Sequence, residues 1–324
     1  MFLKKQIDKL NNKIYYKKVL ILNGFYNQIL GKGEKMSYAI GSFNMFKWGK
    51  DSNKDFDLLY RIIKKEEFDI IALQEVFAEE AVENLCKHLN PLYWDYCVDF
   101  PKGSQNHEGY AFVWKKRRLH LSNSLRNDNP KIVEKYKTDK GLGISCLRRP
   151  PYYARFTPNN LPRVEIRLIN THIRFNKVKT DSVSGATQRY HEFRILAEDI
   201  MARISNQPEF NRDFYTVLLG DYNLKLCQIN NEMPILIDSR FGFFKKHVVT
   251  VQNDLTTLSN DQNTNIIYAN DYDHFTYNEE SFNRLSSFQV QRIDVVSKYL
   301  NSDREKYKNT ISDHIPIKLT LNLK

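Results

Sequence analysis

Ile311-Ser312-Asp313-His314-Ile315-Pro316 places an acid and an imidazole at the entrance to an apolar run, Ile315–Leu321, close to the end of a 324-residue chain. Four earlier sets repeat this design: Phe43-Asn44, Leu73-Gln74-Glu75-Val76, Asn170-Thr171-His172 and Leu219-Gly220-Asp221-Tyr222-Asn223. Each of these ends or follows a run that reads as a buried strand: Ala39–Phe43, Ile70–Leu73, Val164–Ile169 and Val217–Leu219. Any one set has an ordinary reading as a polar loop or a turn, since Gly, Asp and Asn all favour turns. Together, at the ends of several strands, they supply what metal-assisted cleavage of a phosphate ester requires.

That chemistry needs charge relief on the phosphoryl oxygens, an activated water and a protonated leaving group. A divalent cation supplies the first, and oxygen ligands suit Mg2+, with Mn2+ as the alternative. Asn44, Glu75 and Asp313 are ligand candidates of that type. Histidine is the usual proton carrier near neutral pH, which selects His172 and His314. A histidine used this way needs a carboxylate to orient it, and Glu108 and Asp273 are available.

Outward from these sets the chain alternates strand and helix signals, without repeats or a low-complexity linker. Helices are expected at Lys54–Glu67, Glu79–Leu89 and Thr187–Ile204. Further strands are expected at Tyr110–Trp114, at Tyr152–Phe156 paired with Val164–Asn170, at Thr216–Leu219 and at Gln289–Val296. Residues 228–285 are polar and loop-rich, and no order is assigned to them. Strand-rich halves with helices between them predict two sheets packed together and covered by helices.

Composition bounds the class. Hydrophobic residues make up 41% of the chain and aromatics 13%, enough for a sizeable core. No stretch reaches the roughly 18 apolar residues of a membrane span. Val19–Leu22 is too short for the apolar part of a signal peptide. Cys86, Cys97, Cys146 and Cys227 are far apart and form no metal-type pair, so reduced thiols and a cytoplasmic location are expected. No membrane and no obligate protein partner is expected.

The formal charge is +11, which favours polyanions. Residues 1–35 hold +6 of it, leaving a mildly basic body with clusters at Lys115–Arg118, Arg148-Arg149 and Lys245-Lys246. The first and last clusters read as ordinary surface. Just before Met36, Lys32-Gly33-Glu34 back-translates to a purine-rich tract of the kind that precedes bacterial start codons. Two readings stay open: Met36 is the native start, or residues 1–35 are a basic extension. Residues 36–324 are expected to form one catalytic domain.

The five sets, in this order, resemble the endonuclease/exonuclease/phosphatase superfamily, and within it the DNase I-like branch, over about residues 38–321. His107-Glu108-Gly109-Tyr110-Ala111-Phe112-Val113 is similar to that branch's loop bearing a second glutamate. Arg149-Pro150-Pro151-Tyr152 is similar to its Arg-x-Pro strand. The resemblance implies an α/β (α+β) four-layer sandwich, two mixed β-sheets face to face with helices outside. It implies that Asn44 and Glu75 hold the metal with support from Asp313, and that Asp221 and Asn223 orient the scissile phosphate or the water. Glu108 would pair with His172, an aspartate with His314, and Arg149 would touch a substrate phosphate. For His314 there are two candidates, Asp273 in Tyr272-Asp273 and Asp294 in Arg292-Ile293-Asp294; spacing to Asp313 favours Asp273.

The chain departs from the DNase I pattern at two points. Phe77 stands where that pattern has a groove-reading arginine, and Asn106 where it has a sugar-stacking tyrosine. Cys227 also has no later cysteine to bridge. These changes shift the expectation toward single-stranded or distorted DNA, with Phe77 stacking on a base or sugar. The resulting expectation is a Mg2+-dependent phosphodiesterase, a deoxyribonuclease with nucleic acid as partner. The alternatives are a phosphatase or phospholipase-type hydrolase of a lipid headgroup or small phosphate, and a binding protein that keeps the fold without catalysis.

Overall fold

The computed structural model describes residues 36–50, 54–102, 108–123, 129–136, 147–175, 185–207, 212–227, 229, 248–251, 254–260 and 266–323. The expected leader, Asn106, Cys146 and Lys245-Lys246 lie outside the described residues. Strands β1 (Met36–Trp48), β2 (Ile70–Val76), β3 (Trp94–Asp99), β4 (Gly109–Lys115), β12 (Ser287–Arg292) and β13 (Ile317–Leu323) form one sheet, in the order β12-β13-β1-β2-β4-β3. The second sheet holds β5 (Leu119–Leu121), β7 (Tyr152–Pro158), β8 (Val164–His172), β9 (Asp213–Asp221), β10 (Val248–Val251) and β11 (Asp273–Asn278). Its order is β10-β11-β9-β8-β7-β5, and β6 (Lys131–Ile132) pairs with β7.

Both sheets are mixed, as the resemblance implied. In each, one central pair is parallel, β1 with β2 and β8 with β9, and the other pairs are antiparallel. This decides where the polar sets meet. Parallel neighbours end at the same edge, and an antiparallel neighbour begins there. Asp273 therefore opens β11 directly across from Asp221, at the end of β9. Likewise β13 begins at Ile317 across from Ser42, so His314 arrives just past the end of β1's paired stretch.

Three apolar layers hold the sandwich. Between the sheets, Ile40, Ile70, Phe112, Phe156, Leu168 and Leu319 pack together, each fully buried. Outside the first sheet lie α1 (Phe56–Lys65), α2 (Glu79–Leu89), α6 (Val295–Leu300) and α7 (Arg304–Thr310). In α1, Asp55 caps the helix by accepting from the Leu58 N–H at 2.8 Å. Its buried face is Leu58, Leu59, Ile62 and Ile63, each side chain worth about 1.5–3 kcal/mol of transfer free energy. Glu79 and Glu80 in the first turn of α2, and Lys87 and His88 in its last, complement the helix dipole.

Outside the second sheet runs the long helical stretch expected at Thr187–Ile204. It is built as α3 (Gly185–Arg194), a π-helical segment Ile195–Met201 and α4 (Ala202–Ser205). The π turns bury all seven of their residues, so the widened helix seats its side chains on the sheet. One short helix, α5 (Glu279–Phe282), follows β11.

Two local expectations change. The strand expected at Gln289–Val296 ends at Arg292, and a helix begins at Val295. Asp294 accepts from the Ser297 N–H at 3.1 Å, so an N-cap overrides the β-branched Val-Val. The unordered region 228–285 contains β10, β11 and α5. In β11 the apolar Phe275 and Tyr277 face the inter-sheet core. Thr276, one residue out of phase, accepts from the Tyr222 hydroxyl on the opposite face at 3.0 Å. Polar residues buried on a covered face hide that strand's alternation.

Candidate active site

The expected polar residues converge at one end of the sandwich. Asn44, on β1, donates from Nδ2 to Glu75 Oε1 at 3.1 Å and to Asp221 Oδ2 at 3.0 Å, joining the two sheets through one amide. Its Oδ1 accepts from the Phe46 N–H at 3.0 Å. Asn44 is thus arranged to hold two carboxylates in place, with its nitrogen rather than its oxygen facing them. Glu75 adopts φ 57°, the left-handed region, where a non-glycine residue needs its surroundings to hold it. The Lys47 N–H, donating to Oε2 at 3.0 Å, supplies part of that hold.

Gly220, at φ 138°, lets β9 run beside β8. A Cβ there would sit 1.9 Å from the Thr171 carbonyl oxygen, so only glycine fits. Asp221 beyond it is buried and accepts the Asn223 N–H at 2.8 Å; Asn223 Nδ2 in turn reaches the Ile173 carbonyl at 2.8 Å.

Two histidine–carboxylate pairs flank Asp221. His172 Nδ1 lies 2.6 Å from Glu108 Oε1, and its Nε2 lies 3.5 Å from Asp221 Oδ2. His314 Nδ1 lies 2.8 Å from Asp273 Oδ2, and its Nε2 lies 3.6 Å from the same Asp221 oxygen. Of the two aspartates weighed from the sequence, Asp273 is the one beside His314. Asp294 instead caps α6 and bonds the Tyr268 hydroxyl.

The charges are coupled. Burial opposes ionisation of His314, but Asp273 and Asp221 outweigh it and raise the imidazole well above its ordinary value. For His172, burial and Arg149 act downward while Glu108 and Asp221 act upward, for a net rise. Burial lifts the Asp221 carboxyl to about 6, against the pull of both histidines. Burial also acts to raise Glu75, yet His172, the Asn44 amide and the Lys47 N–H bring it below its ordinary value. Glu75 is therefore ionised at neutral pH and suited to a cation.

The residues present fit a hard divalent ion. Asp313 Oδ1 is buried with no hydrogen-bond partner among the described residues. Asp313 and the ionised Glu75 are oxygen donors of the kind such an ion prefers. No group of three or more His, Cys, Asp and Glu among the described residues is arranged to hold a metal ion. Mg2+ needs none, since it keeps several waters and takes one or two carboxylates.

Arg149 does not stand free at the site. Its Nη2 lies 2.6 Å from Glu108 Oε2, so the arginine helps fix the His172 pair, while Nη1 is buried without a hydrogen-bond partner among the described residues. Phe77 is half-buried just beyond Glu75, with the Lys50 ammonium 5.8 Å from its ring centre.

Sequence reasoning assigned no role to several residues that build this site. Gln74 donates to Asn170 Oδ1 at 2.7 Å, and Asn170 to the Leu73 carbonyl at 2.9 Å, stitching β2 to β8 across the core. Ser312 donates to the Asn44 carbonyl at 2.7 Å and accepts the His314 N–H at 3.0 Å. The available signal was an amide inside an otherwise apolar strand, which must find a buried partner.

Glu192, on α3, is a further buried acid nearby. Burial lifts its carboxyl to about 7, against the Arg148 N–H and the charges of Arg148, Arg149 and Arg174. A carboxyl raised on folding adds stability below its unfolded value and loses it as pH rises through the folded one. At one pKa unit per 1.36 kcal/mol, that loss amounts to about 3 kcal/mol by the alkaline side of neutrality. Wild-type Tm is therefore expected to fall relative to Glu192→Gln between pH 5 and 8. Parallel Tm–pH curves would show that Glu192 carries no such penalty.

Comparison with known proteins bears on the fold and the family. The family model described as Endonuclease/Exonuclease/phosphatase family matches residues 41–314. No curated protein sequence matches the chain at a significant level. Among solved structures, ANGEL2, a 2',3'-cyclic phosphatase in complex with adenosine-2',3'-vanadate, aligns with TM-score 0.59 at 14% identity, over 89% of this chain and 96% of that one. D. rerio TDP2 complexed with single strand DNA product aligns with TM-score 0.55 at 15% identity, over 88% and 99%. Bacteroides thetaiotaomicron mannosyl-6-phosphatase aligns with TM-score 0.52 at 13% identity, over 88% and 99%. At these identities the structural likeness establishes the fold, and the family model, running from before Asn44 through His314, establishes the family. The chain belongs to the endonuclease/exonuclease/phosphatase family.

Proposed function

We propose that residues 36–324 form a Mg2+-dependent phosphodiesterase domain acting on DNA, with single strands preferred to regular duplex. The observation that carries this reading is the pair of imidazoles, each oriented by its own carboxylate and each turning Nε2 toward one Asp221 oxygen. A phosphodiester needs one proton removed from the attacking water and one given to the leaving oxygen. Two oriented histidines around a single anchoring point can serve both transfers. Glu75 and Asp313 would hold the cation, whose role when bound is to offset charge on the phosphoryl oxygens. Asp221 and Asn223 position the water and the phosphate. Asn44 keeps Glu75 and Asp221 in register.

Nucleic acid is favoured over a small phosphate by what surrounds the site. Phe77 and Phe46 are partly exposed aromatics with Lys50, Lys47 and Lys54 ammonium groups 5.0–5.8 Å from their ring centres. Aromatic faces beside cations suit bases and phosphates of an unpaired strand. A cytoplasmic location is part of the proposal; it rests on the wide spacing of the cysteines, of which the described Cys86, Cys97 and Cys227 are free thiols. No helix of the described residues is long and apolar enough to cross a membrane.

The test is a substrate panel with purified protein: a single-stranded oligonucleotide, duplex plasmid, RNA, a chromogenic phosphodiester, a sugar phosphate and a phospholipid. Cleavage of the single strand, lost in EDTA and restored by Mg2+, is the expected result. Turnover confined to the sugar phosphate or phospholipid would replace this reading with the phosphatase or phospholipase one. Binding without turnover of any substrate would leave a non-catalytic member of the family.

A further inference from the structure

Phe175 follows His172 by three residues, beyond the end of β8, and keeps 42% of its surface exposed. A single exposed phenylalanine is ordinary. This one is held on two sides. The Arg189 guanidinium, itself buried on α3, lies 4.6 Å from the ring centre. The Tyr272 ring lies 6.3 Å away, tilted by 38°. Tyr272 immediately precedes Asp273, and its carbonyl accepts the Tyr222 N–H at 2.8 Å. The three side chains thus connect to both histidine pairs: Phe175 through β8 to His172, and Tyr272 through Asp273 to His314. The Tyr222 bond places Tyr272 beside the residue that follows Asp221, and Asp273 pairs across from Asp221 itself, so the cluster adjoins the phosphate-positioning residue.

Building on the phosphodiesterase reading above, we propose that Phe175, backed by Tyr272 and Arg189, is a base-stacking platform for a nucleotide adjoining the scissile phosphate of a single strand. The cation on the ring and the neighbouring aromatic limit its rotation, which lowers the entropic cost of ordering a base against it. Every base offers a π face, so the contact is sequence-tolerant. A paired base in a duplex has both faces occupied by its neighbours, so only an unpaired or extruded base can use the platform. Phe77 sits at the end of β2 in the opposite sheet. A strand engaging both rings would hold a base on each side of the phosphate, which favours cuts within a strand over removal of a terminal phosphate.

The test is equilibrium binding of a labelled oligothymidylate and of the same backbone carrying abasic residues, measured in EDTA and with Mg2+. Wild type is expected to prefer the base-bearing strand by about 5- to 150-fold, the usual span for a stacked base. Phe175→Ala should cut that preference by about 5-fold or more, and Phe175→Trp should retain it. An unchanged preference in Phe175→Ala, or equal binding of both strands by wild type, overturns the platform and leaves the phosphodiesterase reading standing. If wild type binds neither strand under either condition, the nucleic-acid reading and the platform fail together.

Discussion

Glu75→Gln should lower turnover by a factor on the order of 10³ or more and leave Tm within a few degrees of wild type. Charge relief by a bound cation is worth several kcal/mol in the transition state, and each 1.36 kcal/mol is tenfold in rate. Glutamine keeps the shape and the Cβ, so it adds no strain to the left-handed backbone at φ 57°. Its single oxygen can still accept from the Asn44 amide, and Asn44 keeps its second bond to Asp221, while the bond from the Lys47 N–H, worth about 1 kcal/mol, is given up. The larger loss is the negative charge that the proposed metal site needs. Steady-state rates across a Mg2+ titration check this: the variant's curve should move to higher Mg2+ as well as fall. Unchanged turnover at all Mg2+ concentrations would remove Glu75, and with it the proposed metal site, from the reaction.

The sequence made this site readable because its residues occur as short polar sets at the ends of apolar runs, and strand ends are where a sheet presents groups to solvent. Parallel and antiparallel pairing then brings those ends together, so order along the chain carried spatial information. Less could be read where a polar residue is buried on a covered face. His274 and Thr276 in β11 have partners on Leu224 and Tyr222, which no local pattern reveals. The Val295-Val296 pair read as strand because β-branching suggests it, whereas a single side-chain bond from Asp294 starts a helix. The role of Arg149 was visible only in part. The resemblance implied a phosphate contact for it, but the carboxylate it touches, Glu108, lies 41 residues away in sequence. The Phe175 platform was not readable at all, since its three members come from β8's far end, α3 and the start of β11.

Asp273→Asn should cost 10²–10⁴ in turnover, on the order expected for losing positioned proton transfer, and Asp294→Asn should cost almost nothing. Asp273 is fully buried, and its Oδ2 lies 2.8 Å from His314 Nδ1. An asparagine fits the same space but removes the charge that lets His314 carry a proton despite its burial. Asp294 acts elsewhere: it accepts the Ser297 N–H at the start of α6, and asparagine is as good an N-cap. Since Asp273 acts through His314, the double variant Asp273→Asn/His314→Ala should be no slower than His314→Ala alone. Groups that work as one unit show this non-additivity, whereas independent losses multiply. A multiplied loss in the double variant would mean that Asp273 touches the substrate or the metal directly. A large loss in Asp294→Asn with none in Asp273→Asn would move the orienting role to the residue that caps α6, against the 2.8 Å contact at His314.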